Sequence, residues 1–263
     1  PFSDDGSLRT DRLPELLDKR TKMVAITQAS NVLGTRPDLK YVIHMAHDAG
    51  VPVLVDGCQG IVHGGVDVRE LDCDFYVFSG HKLYGPTGIG VLWAKEKWLE
   101  AMPPFLGGGD MVKTVTFAKT IYAELPLKFE AGTTNFIGAI GLGEAVRYLE
   151  TLDLVALGQH EHALLDYTTE KLLQIPGLRI YGQTPDKCSI VSFTAEGTHP
   201  YDIGMILDKM GIAVRTGTHC AEPVMTHYGL TGMVRASLAL YNTLEEADRL
   251  AEGVAKAVTM LRG

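Results

Sequence analysis

Long hydrophobic runs are missing from this sequence. No apolar stretch reaches the roughly 18 residues that a membrane-spanning helix needs, so no membrane partner is expected. Cysteine is scarce as well. Cys58, Cys73, Cys188 and Cys220 form no CxxC pair and show no zinc-like spacing to histidine. A disulfide framework is therefore not expected, no metal site is read, and a reducing cytoplasm is the predicted compartment. Basic residues are outnumbered, 24 Lys and Arg against 32 Asp and Glu, for a net charge of −8. Phosphate backbones call for clustered cations, so nucleic acid is not an expected partner. There is no internal repeat and no low-complexity tract. The opening PFSDDGSLRTDR has no apolar core and is not expected to act as a signal peptide. It has no initiator Met either, and Pro1 is read as interior to a longer chain.

What is present describes a folded chain. Of the 263 residues 46% are hydrophobic, enough to bury a sizeable core in one large domain or two smaller ones. The 29 glycines exceed the ~7% of average proteins and gather around short polar motifs, as happens where backbone approaches a ligand. Strand signals at Met23–Thr27, Val53–Val55, Phe75–Phe78 and Gly90–Trp93 alternate with a helix signal over Pro37–Ala49. Short connections of this kind imply right-handed crossovers and a parallel sheet, with later strands free to run the other way; the class is α/β.

Between about Pro103 and Asn135 periodicity fades into a Gly- and Pro-punctuated segment, read as a long loop. Helical patterns resume at Gly138–Glu150 and Leu154–Leu173, and the change of domain is placed there. The remainder reads as strands at Leu178–Tyr181, Ile190–Thr194, Ala213–Thr216 and Met233–Leu238. Helices are expected at Tyr201–Met210 and Leu244–Leu261, the last with Thr243 and Glu246 at capping-box spacing.

Two motifs carry the strongest chemical signal, VLVDGCQG over 53–60 and FSGHKLYGPTGIG over 78–90. The first sets Asp56 at the carboxyl edge of a strand, where open α/β sheets bind ligands. The second carries a strand into Ser79, His81 and Lys82; a lysine leaving a strand end among small residues suits a Schiff-base nucleophile. Either motif alone reads equally well as a helix cap or turn and a solvated lysine.

Together with RTGTHCA at 215–221 and RASLALYN at 235–242, DGCQ and SGHK resemble the pyridoxal-phosphate (PLP) enzymes of the class V aminotransferase family. The closer resemblance is to group II cysteine desulfurases of the sulfur-mobilisation type, and it runs in order along the whole chain. It implies an aspartate-aminotransferase-like fold. Residues 1–145 would supply the later part of a PLP-binding large domain with a mainly parallel sheet and helices on both faces. Residues 146–263 would form a smaller α+β domain.

The resemblance also implies roles. Lys82 would hold PLP and move protons, Asp56 would face the pyridine nitrogen, and Gln59 and Asn31 would flank the ring oxygen. Ser79 and His81 would grip the phosphate, and Thr133 in KFEAGTTN would reach the cofactor of the other subunit in a homodimer. Arg235, helped by Arg215, would take the substrate carboxylate as a planar fork. Cys220 would attack the sulfur of L-cysteine and keep it as a persulfide for an acceptor protein of iron–sulfur cluster assembly. A reactive thiol needs a proton acceptor or a cation nearby, and His219 and Arg215 are the candidates.

Other residues get plainer readings. Cys58, Cys73 and Cys188 are expected as small buried hydrophobes, and Trp93 and Trp98 as core. His44 and His47 have no third ligand nearby, and His160 and His162 are expected in solvent. Two positions depart from the family pattern: Thr218 stands where a second histidine is common, and GTTN replaces GTPN. The family's large domain also begins well upstream, with a phosphate-cupping turn and a ring-stacking histidine that these residues do not contain. A longer native protein is the expectation. Selenocysteine lyase activity, and a folding or dimerisation unit without cofactor, stay open as alternatives.

Overall fold

A computed structural model describes every residue from Pro1 to Gly263. Its first sheet has the order β1 (Val24–Thr27), β2 (Val53–Asp56), β3 (Phe75–Ser79) and β4 (Gly90–Ala94). β1, β2 and β3 are parallel, and β4 returns antiparallel against β3. Thus the last of the predicted strands is the one that reverses. A short helix α1 (Leu13–Leu16) precedes the sheet.

Helix α2 (Leu39–Asp48) crosses from β1 to β2. Its Asp38 cap accepts a hydrogen bond from Tyr41 N, and Leu39, Val42, Ile43 and Ala46 face the sheet at helical spacing. Leu39, Ile43 and Ala46 pack on Val53, Val55, Cys73 and Tyr76 to form the first core.

The second sheet has the order β7 (Leu178–Tyr181), β8 (Ile190–Ala195), β10 (Met233–Ser237), β9 (Arg215–Gly217), antiparallel throughout. One face is covered by α6 (Leu154–Leu173), α7 (Pro200–Lys209) and α9 (Leu244–Arg262), with Val191, Phe193, Val234 and Ala236 pointing into that core. Strand alternation sends Ser192 and Arg235 to the opposite face. There the segment Ser30–Arg36, arriving from β1, lies against them: Ser192 Oγ bonds Val32 O, and Arg235 Nη1 bonds Asn31 O. α9 begins with the full Thr243–Glu246 capping box.

Several expectations are corrected. The long loop contains a hairpin, β5 (Val112–Val115) with β6 (Thr120–Tyr122), whose residues are mostly exposed on both faces and so show no alternation. α3 (Val68–Leu71), α4 (Glu96–Ala101) and α8 (Glu222–Tyr228) are too short for a 3.6-residue period to register. α5 (Phe136–Glu150) starts earlier than predicted, at its Asn135 cap. Trp93 and Trp98 are half-buried: Trp93 packs against the edge of the first core, and Trp98 donates its Nε1–H to Asp74 Oδ1 at 2.8 Å. No helix is long and apolar enough to cross a membrane.

Candidate functional site

β2 ends at Asp56 and β3 at Ser79, neighbouring parallel strands whose carboxyl ends open on the same edge. The turn after Asp56 is drawn tight. Gly57 N bonds Val77 O at 2.8 Å, and Cys58 N bonds the Asp56 carboxylate at 2.9 Å. A side chain at Gly57 would meet the Tyr76 ring at 2.0 Å, and one at Gly60 would meet Gln28 at 2.1 Å. Both glycines are therefore required by close packing rather than by turn geometry. A single turn, Gly80–Lys82, follows β3 and leaves Lys82 half-buried and His81 exposed beside it.

Cys58 sits among these groups, its Sγ 3.9 Å from Ser79 Oγ. Burial pushes its thiol pKa up, and the Asp56 carboxylate adds to that, while Lys82 pulls the other way. Cys58 is thus a half-exposed group of the site and not a buried hydrophobe, unlike Cys73 and Cys188. Its place two residues after Asp56 in DGCQG was the available signal. Asp56 remains exposed and Gln59 half-buried, with no hydrogen bond to the Gln59 side chain.

The second cluster hangs from β9 and β10. Arg215 and Arg235 are direct cross-strand partners, so two guanidiniums share one face without a carboxylate between them. Arg235 is half-buried, its Nε is buried without a partner, and burial together with Arg215 holds its pKa below the usual arginine value. Arg215 Nη2 reaches Cys220 Sγ at 3.5 Å, and Cys220 is exposed.

His219 takes a different position. Its ring is 2% exposed and its Nε2–H donates to Met233 O at 3.0 Å. Burial lowers its pKa to about 4, so the imidazole is neutral near pH 7 and Arg215 is the cation beside the thiol. His219 and Cys220 both adopt left-handed backbone, φ 56° and 59°.

Asn31 belongs to this second cluster. Its Nδ2 donates to His219 O at 2.7 Å while its own carbonyl receives Arg235 Nη1 at 2.6 Å. Thr133 is not brought in: it is exposed, on a segment tied to Gly88 O through the Asn135 side chain. No group of three His, Cys, Asp or Glu residues is arranged to hold a metal ion.

The donors suit PLP by their chemistry. An exposed carboxylate at a strand end matches a pyridinium N–H, a neighbouring lysine matches the aldehyde, and Ser79 with His81 matches an anionic phosphate. The arginine pair, with no carboxylate of the chain against it, offers a charge partner to a substrate carboxylate.

The fold is α/β, and its donor set is of the kind that holds PLP. The aminotransferase class-V family model matches residues 1–250, and the chain belongs to that family, whose members use PLP. Among curated relatives, a cysteine desulfurase of Cronobacter sakazakii is 50% identical over 262 residues, 99% of this chain and 64% of the relative. One from an Enterobacter species is 52% identical over 255 residues, 97% of this chain and 63% of the relative. The crystal structure of the cysteine desulfurase CsdA from Escherichia coli, in its S-sulfonic acid form, superposes with a TM-score of 0.95 at 43% identity. It covers 99% of this chain and 65% of that one. The chain thus spans about 64% of the length of the curated relatives it matches.

Proposed function

We propose that this chain is the greater part of a cysteine desulfurase of the group II type, converting L-cysteine to L-alanine and leaving the sulfur as a persulfide on Cys220. The observation that carries the reading is Arg215 at 3.5 Å from Cys220 Sγ, with Arg235 facing it across the ladder. A carboxylate fork and a nucleophilic sulfur on one edge suit an amino acid substrate whose side chain is itself sulfur.

Bound PLP would supply an electron sink next to the substrate Cα. Asp56 would keep the proton on the pyridine nitrogen, Gln59 and Asn31 would flank the ring oxygen, and Ser79 and His81 would hold the phosphate. Lys82 Nζ would carry the proton to and from Cα. Arg235, assisted by Arg215, would orient the carboxylate. Cys220 Sγ then forms a bond to the substrate sulfur while the substrate S–Cβ bond breaks. The electron pair goes to Cβ, which is protonated to give alanine. His219 would act through the backbone, holding the loop that presents Cys220.

Residues 1–145 serve here as the later part of the cofactor domain, and 146–263 as the small domain. The protein works in the cytoplasm as a homodimer, with Thr133 reaching the partner's phosphate, and hands sulfur to an acceptor of iron–sulfur cluster assembly. The exposed apolar side chains of Phe105, Phe117, Ile137 and Ile140 support self-association.

The test is an absorbance titration with PLP, then borohydride reduction and intact mass. An adduct at Lys82, with alanine formed from cysteine and abolished in Cys220→Ala, is the expected result. Retained turnover of selenocysteine in Cys220→Ala would mark lyase side activity. No adduct would leave this chain short of a working cofactor site.

A further inference from the structure

Away from the arginines and the lysine, the two halves of the molecule meet at a buried polar cluster that none of the roles above uses. We propose that His63 and Glu161 form a latch that fixes the loop after Asp56 against α6, making both of them positioning residues for the cofactor site; this rests on the PLP reading given above.

His63 Nδ1 and Glu161 Oε2 are 2.6 Å apart, with side chains only 8% and 9% exposed. His63 lies four residues beyond Gln59, on the loop whose first turn carries Cys58 and Gln59. The first residues of that turn are tied by Gly57 N to Val77 O and Cys58 N to the Asp56 carboxylate, and beyond them the loop's backbone is held by Ile61 N to Gly57 O and His63 N to Gly60 O. Glu161 lies in the interior of α6, remote from either helix end, where the helix dipole contributes nothing to a carboxylate. A carboxylate buried there is costly unless paired, and an apolar side chain of similar size would serve the core as well. The pairing across the two halves is what the carboxylate contributes.

The surroundings keep both partners in place. Ser189 Oγ, beside β8, donates to Glu161 O at 3.1 Å and approaches Glu161 Oε2 at 3.4 Å. Arg36 Nη2 donates to His63 O at 2.7 Å, while its Nε donates to Cys188 Sγ at 3.4 Å. Asp186 faces Arg36 at 3.8 Å, and the neighbouring Lys187 is turned to Gly182 O. Four segments therefore converge on one pair. Near its start the loop presents Gln59; at its end it is clamped to the helix packed under the sheet that bears Arg235. Releasing the clamp frees the Gln59 turn relative to Arg235 without touching either.

The test uses the full chain and two readouts. Hydrogen exchange is followed without cofactor in peptides covering 57–67 and, as a control, 190–195. PLP affinity is then read by absorbance titration. In His63→Ala and Glu161→Ala, exchange of 57–67 rises and PLP affinity falls by about tenfold or more, the size expected when groups that orient first-contact residues are lost. The 190–195 peptide keeps its protection. Glu161→Gln, which retains an acceptor for His63, restores most of both and remains informative if the alanine variants fail to fold. Unchanged exchange of 57–67, or a freed loop with unchanged PLP affinity, overturns the latch. If the unaltered chain takes up no PLP, the PLP reading fails, and the exchange comparison alone decides whether the pair clamps the loop.

Discussion

Two adjacent non-glycine residues in left-handed backbone, His219 and Cys220, carry a cost of roughly 1–2 kcal/mol each. Burial of the His219 ring and the bond from Asn31 to its carbonyl offset that cost and hold Cys220 out beside Arg215. A pH dependence follows. Folded His219 has its pKa lowered to about 4, so the unfolded chain binds its proton first as pH falls. Stability contributed by the neutral ring is complete above about pH 6.5 and is lost between there and pH 4, on the order of 3 kcal/mol. Urea unfolding at pH 7.5 and pH 5 should show about 2 kcal/mol of this loss, and His219→Gln should flatten it. Arg235 gives a kinetic counterpart. Arg235→Lys keeps the charge but loses the planar fork, and KM for cysteine should rise by about 10–100-fold. Strand-end position singled out Lys82 and Asp56 in the sequence, and Cys220 was picked out only through the family resemblance. The burial of His219 was not legible, because its partner Met233 lies on another strand.

At the scale of elements, Asp74 shows how one side chain sets three of them. It sits before β3, almost fully buried, and accepts from Val53 N of β2, Trp98 Nε1 of α4 and His47 Nε2 of α2. Burial alone would raise its pKa, but the bonds from Trp98, Val53 and His47, with Lys95 nearby, outweigh it and hold the carboxyl below its ordinary value. The stabilisation is therefore present above the unfolded value of about 4 and disappears as pH falls through the lower folded one. Asp74→Asn should cost about 3–5 kcal/mol at pH 7, seen as a lower denaturant midpoint with an unchanged slope. Elements longer than two turns, such as α2, α6 and α9, were legible because one face is apolar at regular spacing. The β5–β6 hairpin and the helices of four to seven residues were not, since a short or two-sided exposed segment carries no period.

For the whole molecule, the apolar side chains that stand out are those of the segment before β5, the hairpin turn and the start of α5. Phe117 stands fully in solvent, Phe105 is 92% exposed and Ile137 73%. Large apolar side chains left in water are the ones that association would cover. Sedimentation should show self-association at micromolar concentration, and Phe117→Asp with Ile137→Asp should shift the chain toward monomer. The two-sheet plan was visible in the order of strand and helix signals, whereas the way Ser30–Arg36 lies under the second sheet was not. No sequence period records contacts such as Ser192 with Val32, 160 positions apart.

The bare arginine pair on β9 and β10 has one more consequence, for the solution around the protein. In a chain of net charge −8 it is a local sink for small anions. Sulfate or phosphate buffers should therefore act as competitive inhibitors and chloride more weakly. The choice of buffer salt would then alter the apparent affinity for an amino acid while leaving its maximal turnover alone.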